Sequence, residues 1–300
     1  MLLSKRTIVD FSTYTGYKST MQEAKQKYIA GLKEYHQRLS NFVRESYLVT
    51  TKYLEVVSWG YHTTAIYIKS SDNKEYLLKL ASWSEEKEKG ILKDIELSNK
   101  LRGVIPTPIY IKTLGGDYIC RFEDKILRLS HYISGLSPLD MNFDILEQMV
   151  KILKKMHPID IAGVAWRFGI ASPPTTDHRN DVLLHGDLTP HNVLVSFGKI
   201  VAVMDFELAF VGPLEWDLAR TAFFSWNYMK NISFEQVAQF VLEKYANDSI
   251  NSDLFYKYVV ENAQKHLDSV EKHRNDYDHQ EDWDKDNNFA TKQLKLITTI

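Results

Sequence analysis

The stretch from Leu184 to Glu207 constrains the fold of this chain more than any other part of the sequence. Its polar side chains follow short apolar segments that are typical of β-strands: Asp187 follows one, Asn192 lies five positions later, and Asp205 follows the next hairpin strand. A rigid scaffold of this kind can hold polar side chains against a ligand. The spacing therefore predicts a catalytic or metal-binding loop between short strands.

These side chains have the chemistry of a phosphate-transfer site. Asn192 and Asp205 offer an amide oxygen and a carboxylate oxygen, which are hard ligands that suit Mg²⁺ bound to a polyphosphate. Mg²⁺ keeps several water and phosphate oxygens, so it needs few protein ligands. Asp187 is then available to accept the proton of a substrate hydroxyl, and it is the predicted catalytic residue.

The same motifs resemble those of a known enzyme family. The pattern H-x-D-x-x-x-x-N followed by D-F-x resembles the catalytic and metal loops of protein-kinase-like phosphotransferases. The closer resemblance is to the aminoglycoside phosphotransferase and choline kinase family, through His185-Gly186-Asp187, Asp205-Phe206-Glu207 and Pro213 with Asp217-Leu218-Ala219. It implies ATP and Mg²⁺ as cofactors and a small-molecule hydroxyl acceptor. It also implies that Asp217 supports the backbone of the catalytic loop.

The rest of the chain predicts an α+β protein with a bilobal, protein-kinase-like fold. Helical periodicity before position 48 predicts an N-terminal helical extension over residues 1–48. Short β-rich segments then predict an antiparallel five-stranded, ATP-binding lobe over 49–134, with one inserted helix. Residues 135–300 are expected to form a mainly helical lobe that carries the catalytic loop, the metal site and the acceptor pocket. Within the first lobe, Gly115-Gly116-Asp117 predicts a hairpin between the strands on either side.

The first lobe is expected to bind the phosphates of ATP through Lys79. This lysine lies inside an apolar strand, where a charged side chain needs a partner. The resemblance implies that it contacts the α- and β-phosphates and pairs with a helix glutamate. Glu96 is the predicted partner because it lies beside Ile95 on the apolar side of its helix, and Glu88 is the alternative.

The remaining nucleotide contacts are expected at a turn and at a strand end. The turn over residues 58–64 has one glycine and departs from the G-x-G-x-x-G pattern, yet Ser58 or Thr63 can donate a hydrogen bond to the β-phosphate. The resemblance implies that adenine pairs with backbone groups of His131 and Ile133, in a segment that connects the two lobes.

Two departures from protein kinases point to a small acceptor. Gly186 stands where protein kinases have the arginine of H-R-D, so no side chain is available there to hold a phosphorylated activation loop. Only 11 residues lie between Asp205 and Asp217, which is too few for an activation segment and a peptide platform. His157 and His185 are expected to be structural, the first by packing and the second by bracing the loop through hydrogen bonds.

Composition excludes several other classes of protein. A net charge of −2 argues against a dedicated nucleic-acid binder, and no apolar run approaches the length of a membrane span. The single cysteine, Cys120, excludes an internal disulfide and a cysteine-based zinc site. Residues 1–6 have no signal-peptide pattern, so a cytoplasmic location is expected. No feature indicates an obligate protein partner.

The identity of the acceptor stays open at this point. An aminoglycoside, which would imply antibiotic resistance, is one alternative, and a metabolite such as choline, ethanolamine or homoserine is another. A catalytically dead binding module is disfavoured because Lys79, Asp187, Asn192 and Asp205 are all present. Residues 268–286 contain eight acidic residues together with Tyr277 and Trp283. That segment either binds a cationic acceptor, partly through cation–π contacts, or is a solvated acidic surface.

Overall fold

The computed structural model describes residues 35–59, 63–160, 181–246, 250–272, 274 and 280–298. The chain divides into two compact units. The first contains the described parts of 1–88, 110–132 and 270–288, and the second contains those of 89–109, 133–269 and 289–300.

The first unit is built on an antiparallel sheet. A helix over residues 35–47, α1, precedes three long strands, which are followed by helix α2 and three shorter strands. The bounds are β1 Thr51–Trp59, β2 Thr63–Ser70, β3 Glu75–Ser82, α2 Glu85–Leu101, β4 Tyr110–Ile111, β5 Ile119–Phe122 and β6 Lys125–His131. The strand order is β1-β2-β3-β6-β4, and β5 also pairs with β6.

One face of α1 and alternate residues of the central strands form the core of this unit. Leu39 and Val43 are four positions apart on α1 and are fully buried, as the periodicity predicted. They belong to one hydrophobic cluster with Ile66, Leu78 and Leu129 of the sheet. The predicted N-terminal extension is therefore helical over 35–47, and its earlier part lies outside the described residues.

The predicted sheet is corrected in two details. Within the described residues it has six strands and not five, because the two-residue β4 adds to it. Residues Gly115–Asp117 do form a turn, in which the Thr113 N–H donates to the Asp117 carbonyl over 2.7 Å. However, β4 and β5 do not pair with each other, since both pair with β6. The hairpin lies instead between β5 and β6, where Glu123 has a positive φ of 56°.

The second unit is mainly helical and contains two small strand pairs. Most of α2 belongs to it, followed by α3 Phe143–Met156, β7 Asp181–Leu184, β8 Val193–Ser196, β9 Lys199–Val203, β10 Phe210–Pro213, α4 Glu215–Trp226, α5 Phe234–Tyr245 and most of α6 Ser252–Lys272. The last helix, α7 Gln280–Ile297, begins in the first unit and ends in the second. β7 pairs with β10, and β8 pairs with β9. Of the helices in the described ranges, none is both long and apolar enough to cross a membrane.

The helical core of this unit, beside the antiparallel sheet of the first, confirms the α+β class. α3 spans Phe143–Met156, and the Asn142 side chain caps its start by accepting a hydrogen bond from the Ile145 N–H. Seven of its residues are buried in the core of the unit. β10 was not predicted, and it extends the strand content of this unit beyond the expected hairpin. The boundaries proposed for the two lobes, at 48/49 and 134/135, stay predictions.

Candidate active site

The catalytic loop, His185–Asn192, is held by one face of α4. Asp217 is fully buried, and its two carboxylate oxygens accept the backbone N–H groups of His185 at 2.7 Å and Gly186 at 2.9 Å. One turn further along α4, the Thr221 hydroxyl donates to the Leu188 carbonyl over 2.9 Å. The loop therefore has its backbone fixed at three points, and the structure places Asp217 in the supporting position that the resemblance implied.

His157 and His185 lie in structural positions. The Nε2 of His157 lies 3.4 Å from the Asp217 carboxylate, and its Nδ1 lies 2.7 Å from the Tyr245 hydroxyl. Burial, helped by the charge of Asp217, raises the pKa of Tyr245 to about 12. His185 accepts the Asp187 N–H at Nδ1, over 3.3 Å, and donates from Nε2 to the Met204 carbonyl over 3.1 Å. Both nitrogens of His185 are therefore occupied by backbone groups.

Gly186 is required where the catalytic loop meets the metal loop, Met204–Ala209. Its φ is +78°, and a Cβ added there would lie 2.3 Å from the Leu208 carbonyl oxygen. No L-residue with a side chain fits that backbone without a shift of the metal loop. This gives a physical reason for the glycine that distinguishes this motif from H-R-D.

Asp187 is held on both of its carboxylate oxygens. Oδ1 accepts from Arg220 Nε over 2.8 Å and lies 2.7 Å from Nη2 of the same guanidinium. Oδ2 accepts from the Asn192 side-chain amide over 2.8 Å. Arg220 in turn donates from Nη1 to Asn262 on α6 over 2.7 Å. The sequence interpretation missed Arg220, although its position three residues after Asp217 places both on the same face of α4.

Asn192 and Asp205 are brought together by the β8–β9 hairpin. Asn192 precedes β8, and the Met204 N–H after β9 donates to the Asn192 carbonyl over 2.9 Å, which places Asp205 beside it. Both hydrogen bonds from the Asn192 side-chain amide nitrogen go to Asp187, one to its carbonyl and one to its carboxylate. The amide oxygen of Asn192 is thereby left for a cation. With the Asp205 carboxylate it forms a donor set that fits Mg²⁺ carried by a nucleotide.

The described residues contain no group of three or more His, Cys, Asp or Glu side chains placed to hold a metal ion. A site with one amide and one carboxylate ligand needs phosphate and water oxygens to complete the coordination of Mg²⁺. The donor set therefore fits a metal that binds together with a nucleotide.

The metal loop is held from α2, a support that the sequence interpretation also missed. The buried Asp94 accepts the Phe206 N–H over 3.0 Å, and Lys93 donates to the Ala209 carbonyl over 3.0 Å. Asp205, between β9 and these contacts, has a left-handed backbone with φ 69° and ψ 64°. That conformation is uncommon for a residue with a side chain, so it needs fixed neighbours on both sides.

Lys79 lies where it was predicted, inside β3 of the first unit, with Ala65 and Arg128 as its cross-strand neighbours. Glu96 lies on the part of α2 that belongs to the second unit, so its pairing with Lys79 stays a prediction. Glu88 is engaged elsewhere: its carboxylate accepts from Trp83 Nε1 and from Arg121, each over 2.8 Å. These two hydrogen bonds lower its pKa. The choice between Glu96 and Glu88 as the partner of Lys79 stays a prediction.

The other predicted nucleotide contacts are only partly described. Ser58 is in the last part of β1, and Thr63 opens β2 opposite Ala81, while residues 60–62 between these strands lie outside the description. His131 ends β6 opposite Tyr76, and the following N–H, of Tyr132, donates to the Glu75 carbonyl. Because backbone groups of alternate residues point to opposite sides of a strand, those of His131 point away from β3. The use of the His131 and Ile133 backbone groups by adenine stays a prediction.

In the acidic segment, Trp283 already makes contacts within the protein. The Arg274 guanidinium lies over its ring, 4.4 Å from the centroid, and its indole N–H donates to the Val270 carbonyl over 3.2 Å. One face of this ring is thus already covered by a cation of the same segment. Tyr277 lies outside the described residues, so its role stays untested.

Comparisons with known proteins give a family match over part of the chain and a shared fold. The model of the APH phosphotransferase enzyme family matches residues 164–246. No curated protein is similar enough to the chain to count as a relative. Among solved structures, spectinomycin phosphotransferase APH(9)-Ia in complex with ADP and spectinomycin has a TM-score of 0.67 at 13% identity, covering 88% of this chain and 98% of that one.

Two further solved structures have the same fold. The amicoumacin kinase, in complex with AMP-PNP, Ca²⁺ and its antibiotic, has a TM-score of 0.65 at 12% identity and covers 86% of this chain and 93% of that one. A thermostable mutant of aminoglycoside phosphotransferase APH(4)-Ia, with AMP-PNP and hygromycin B, has a TM-score of 0.61 at 15% identity and covers 87% and 97%. At these identities the likeness shows the fold. With the family match it confirms the resemblance indicated by the motifs.

Proposed function

We propose that this chain transfers the γ-phosphate of ATP to a hydroxyl group of a small molecule, with Mg²⁺ as the metal cofactor. The observation that carries the proposal is the arrangement of the catalytic loop. Asp187 is fixed between Arg220 and Asn192, and the amide oxygen of Asn192 is left beside Asp205. The match to the phosphotransferase family and the fold of the structural neighbours support the enzyme class, a small-molecule phosphotransferase.

Each residue of the site has a proposed role in the transfer. Asp187 orients the acceptor hydroxyl and takes its proton, while Lys79 binds the phosphates that are not transferred. Asn192 and Asp205 are the proposed Mg²⁺ ligands. Mg²⁺ bound there supplies positive charge against the negative charge that develops on the transferred group. Catalysis then depends mainly on positioning and electrostatics.

The packing of the segment after Asp205 supports a small acceptor over a protein substrate. Residues 206–208 form a single helical turn, and β10 pairs with β7 in a register that sets Phe210 opposite Leu184. The stretch between Asp205 and Asp217 is thus used for structure within the unit. It leaves no length for the activation segment on which protein kinases bind a peptide.

An acceptor panel tests the proposal and identifies the substrate class. Spectinomycin, hygromycin B and amicoumacin belong on the panel because structural neighbours bind them, and choline, ethanolamine and homoserine represent the metabolite alternatives. The expected result is ADP release with Mg²⁺ that depends on one class of compound and yields its phosphate ester. Asp187→Asn is the control for contaminating kinases. ADP release that no compound stimulates, or that continues in the control, would contradict the proposal.

A further inference from the structure

Arg220 donates a hydrogen bond to the Asp187 carboxylate. Neither the motifs nor the resemblance give this arginine a role. It lies on α4, one turn beyond Asp217, and only 18% of its side chain is exposed. Its guanidinium contacts Asp187, Asn262 and, at 4.7 Å from the ring centroid, Phe224. A surface ion pair would be mobile, whereas this one is enclosed by a second hydrogen bond and an aromatic ring.

The hydrogen bonds on Asp187 are unequal between its two oxygens. A carboxylate oxygen has two lone pairs, so the group accepts about four hydrogen bonds in all. Oδ1 is contacted by two nitrogens of Arg220, Nε and Nη2. Oδ2 accepts one hydrogen bond, from Asn192, among the residues that the structure describes. A lone pair for an incoming hydroxyl therefore remains on Oδ2.

We propose that Arg220 is the positioning residue that fixes the rotation of the Asp187 carboxylate and makes Oδ2 the oxygen that receives the acceptor hydroxyl. The inference rests on the proposed function and specifies the geometry of that site. In the transfer, the acceptor oxygen forms a bond to the γ-phosphorus, and the bond from that phosphorus to the bridging oxygen breaks with its electrons leaving on ADP. The hydroxyl proton passes to Oδ2.

Asn262 extends this positioning to α6. It is fully buried, accepts from Arg220 Nη1 over 2.7 Å, and donates from its amide nitrogen to the Tyr258 carbonyl one turn earlier on the helix. The Asn262 side chain is therefore held by its own helix, and Arg220 is held by Asn262. The orientation of Asp187 consequently depends on α6, a helix that contains none of the sequence motifs.

The test compares turnover with nucleotide binding in Arg220 variants. The acceptor is the most active compound of the panel, and nucleotide affinity is measured with AMP-PNP and Mg²⁺. We expect Arg220→Ala to lower kcat about 100-fold while the affinity for AMP-PNP stays within about twofold, because a misplaced base affects transfer and not nucleotide binding. Arg121→Ala, which removes an exposed arginine from its pair with Glu88, is the matched control and should retain wild-type turnover.

Chemical rescue separates positioning from a general structural role. Guanidinium chloride, well below its denaturing concentration, should restore part of the kcat of Arg220→Ala, and the same concentration of sodium chloride should not. Arg220→Lys keeps the charge but not the planar fork, so it should recover only part of the rate. Asn262→Ala should have a smaller effect than Arg220→Ala. If Arg220→Ala does not fold, turnover and AMP-PNP affinity are compared in Arg220→Lys and Asn262→Ala instead.

Several outcomes would overturn the inference. A kcat of Arg220→Ala within about threefold of wild type would exclude the positioning role, since misplacement of a base has a larger effect. A loss of turnover accompanied by an equal loss of AMP-PNP affinity, without rescue, would indicate a structural role only. If the wild-type protein phosphorylates no compound of the panel, the proposed function itself fails. An active wild type with an equally active Arg220→Ala rejects this inference alone.

Discussion

The catalytic loop and the metal loop each present a carboxylate after a short strand, but the second unit holds them in different ways. Around Asp187 the support acts on the side chain as well as on the loop backbone: Arg220 and Asn192 bind its two carboxylate oxygens, and Asp217 binds the loop N–H groups. In the metal loop the support acts on the backbone: Asp94 binds the Phe206 N–H and Lys93 the Ala209 carbonyl. The carboxylate of the proposed base is therefore held in one rotation, and the loop that carries the proposed metal ligand is held through its backbone.

This difference follows from what each carboxylate has to do. A base must present one oxygen to one proton, so the rotation of its carboxylate matters. A metal ligand must place its oxygen within coordination distance of the ion, so the position of its backbone matters. We therefore expect damage to the supports of the catalytic loop to reduce turnover. Damage to the supports of the metal loop should reduce the part of nucleotide affinity that depends on Mg²⁺.

The largest effect is expected at Gly186, where the two loops touch. Gly186→Ala places a Cβ 2.3 Å from the Leu208 carbonyl oxygen in a backbone with φ +78°. Strain and overpacking together should lower the free energy of unfolding by about 2–5 kcal/mol and abolish transfer. Urea unfolding and the acceptor assay measure these two effects.

Gly198→Ala is the matched control for this change. Gly198 also has a positive φ, of +73°, but nothing lies within 4 Å of an added Cβ. Gly198→Ala should therefore lower the free energy of unfolding by about 1–2 kcal/mol, from backbone strain alone, and should retain normal phosphate transfer. Equal losses of stability in the two variants would show that contact between the loops is not what requires the glycine.

The contrast between the loops is sharpest in Asp187→Asn and Asp205→Asn. Asp187→Asn should lower kcat about a thousandfold and leave Mg²⁺–AMP-PNP affinity nearly intact, since it removes the base and no metal ligand. Asp205→Asn should weaken that affinity about tenfold or more as well as lower the rate. Nucleotide titration with and without Mg²⁺, beside initial rates, measures both effects. Equal nucleotide affinity in the two variants would contradict the division of roles.

A smaller effect is expected from the support of the metal loop on α2. Asp94→Ala removes the acceptor of the Phe206 N–H and should lower Mg²⁺–AMP-PNP affinity about tenfold, because Asp205 loses its fixed backbone. Affinity measured without Mg²⁺ should change little. If Asp94→Ala weakens nucleotide binding equally with and without the metal, the metal loop is not what Asp94 supports.

Ser98→Ala is the control for Asp94, on the same helix and one turn later. Ser98 is also fully buried, and its hydroxyl has no hydrogen-bond partner among the described residues. Removal of an unsatisfied hydroxyl should leave nucleotide binding unchanged and stability unchanged or slightly improved.

The sequence predicted the residues of the two loops and, through the resemblance, the support from Asp217, but it did not predict the supports from Arg220 and Asp94. Asp187, Asn192 and Asp205 could be predicted because they lie in short, locally spaced motifs. Asp94 could not, since its contact with Phe206 joins residues 112 positions apart and depends on how α2 packs. Arg220 is an intermediate case. It is 33 positions from Asp187, but its spacing from Asp217 along one helix face was a signal in the sequence.

The elements of the fold show the same distinction between local and distant information. α3 depends on local information, because its buried apolar residues recur at helical spacing along Phe143–Met156. The glycines at 115–116 indicated a turn correctly but not which strands pair, because pairing depends on distant segments. β10 was missed for the same reason: it has four residues, and its partner β7 lies well before it in the chain.

The smallest kinetic effects are expected in variants of Lys79, the proposed phosphate ligand in the first unit, and of its two candidate partners on α2. Lys79→Ala should raise the KM for ATP or lower kcat, since it removes the proposed ligand of the non-transferred phosphates. Glu96→Ala should reproduce this effect more weakly, by about threefold to tenfold, because an unpartnered lysine turns away from the phosphates. Glu88→Ala should change the kinetics less than about twofold, since its exposed pair with Arg121 contributes little. Initial rates over a range of ATP concentrations distinguish these results. A Glu88→Ala variant that matches Lys79→Ala, beside a silent Glu96→Ala, would show that the first turn of α2 and not its middle faces the nucleotide.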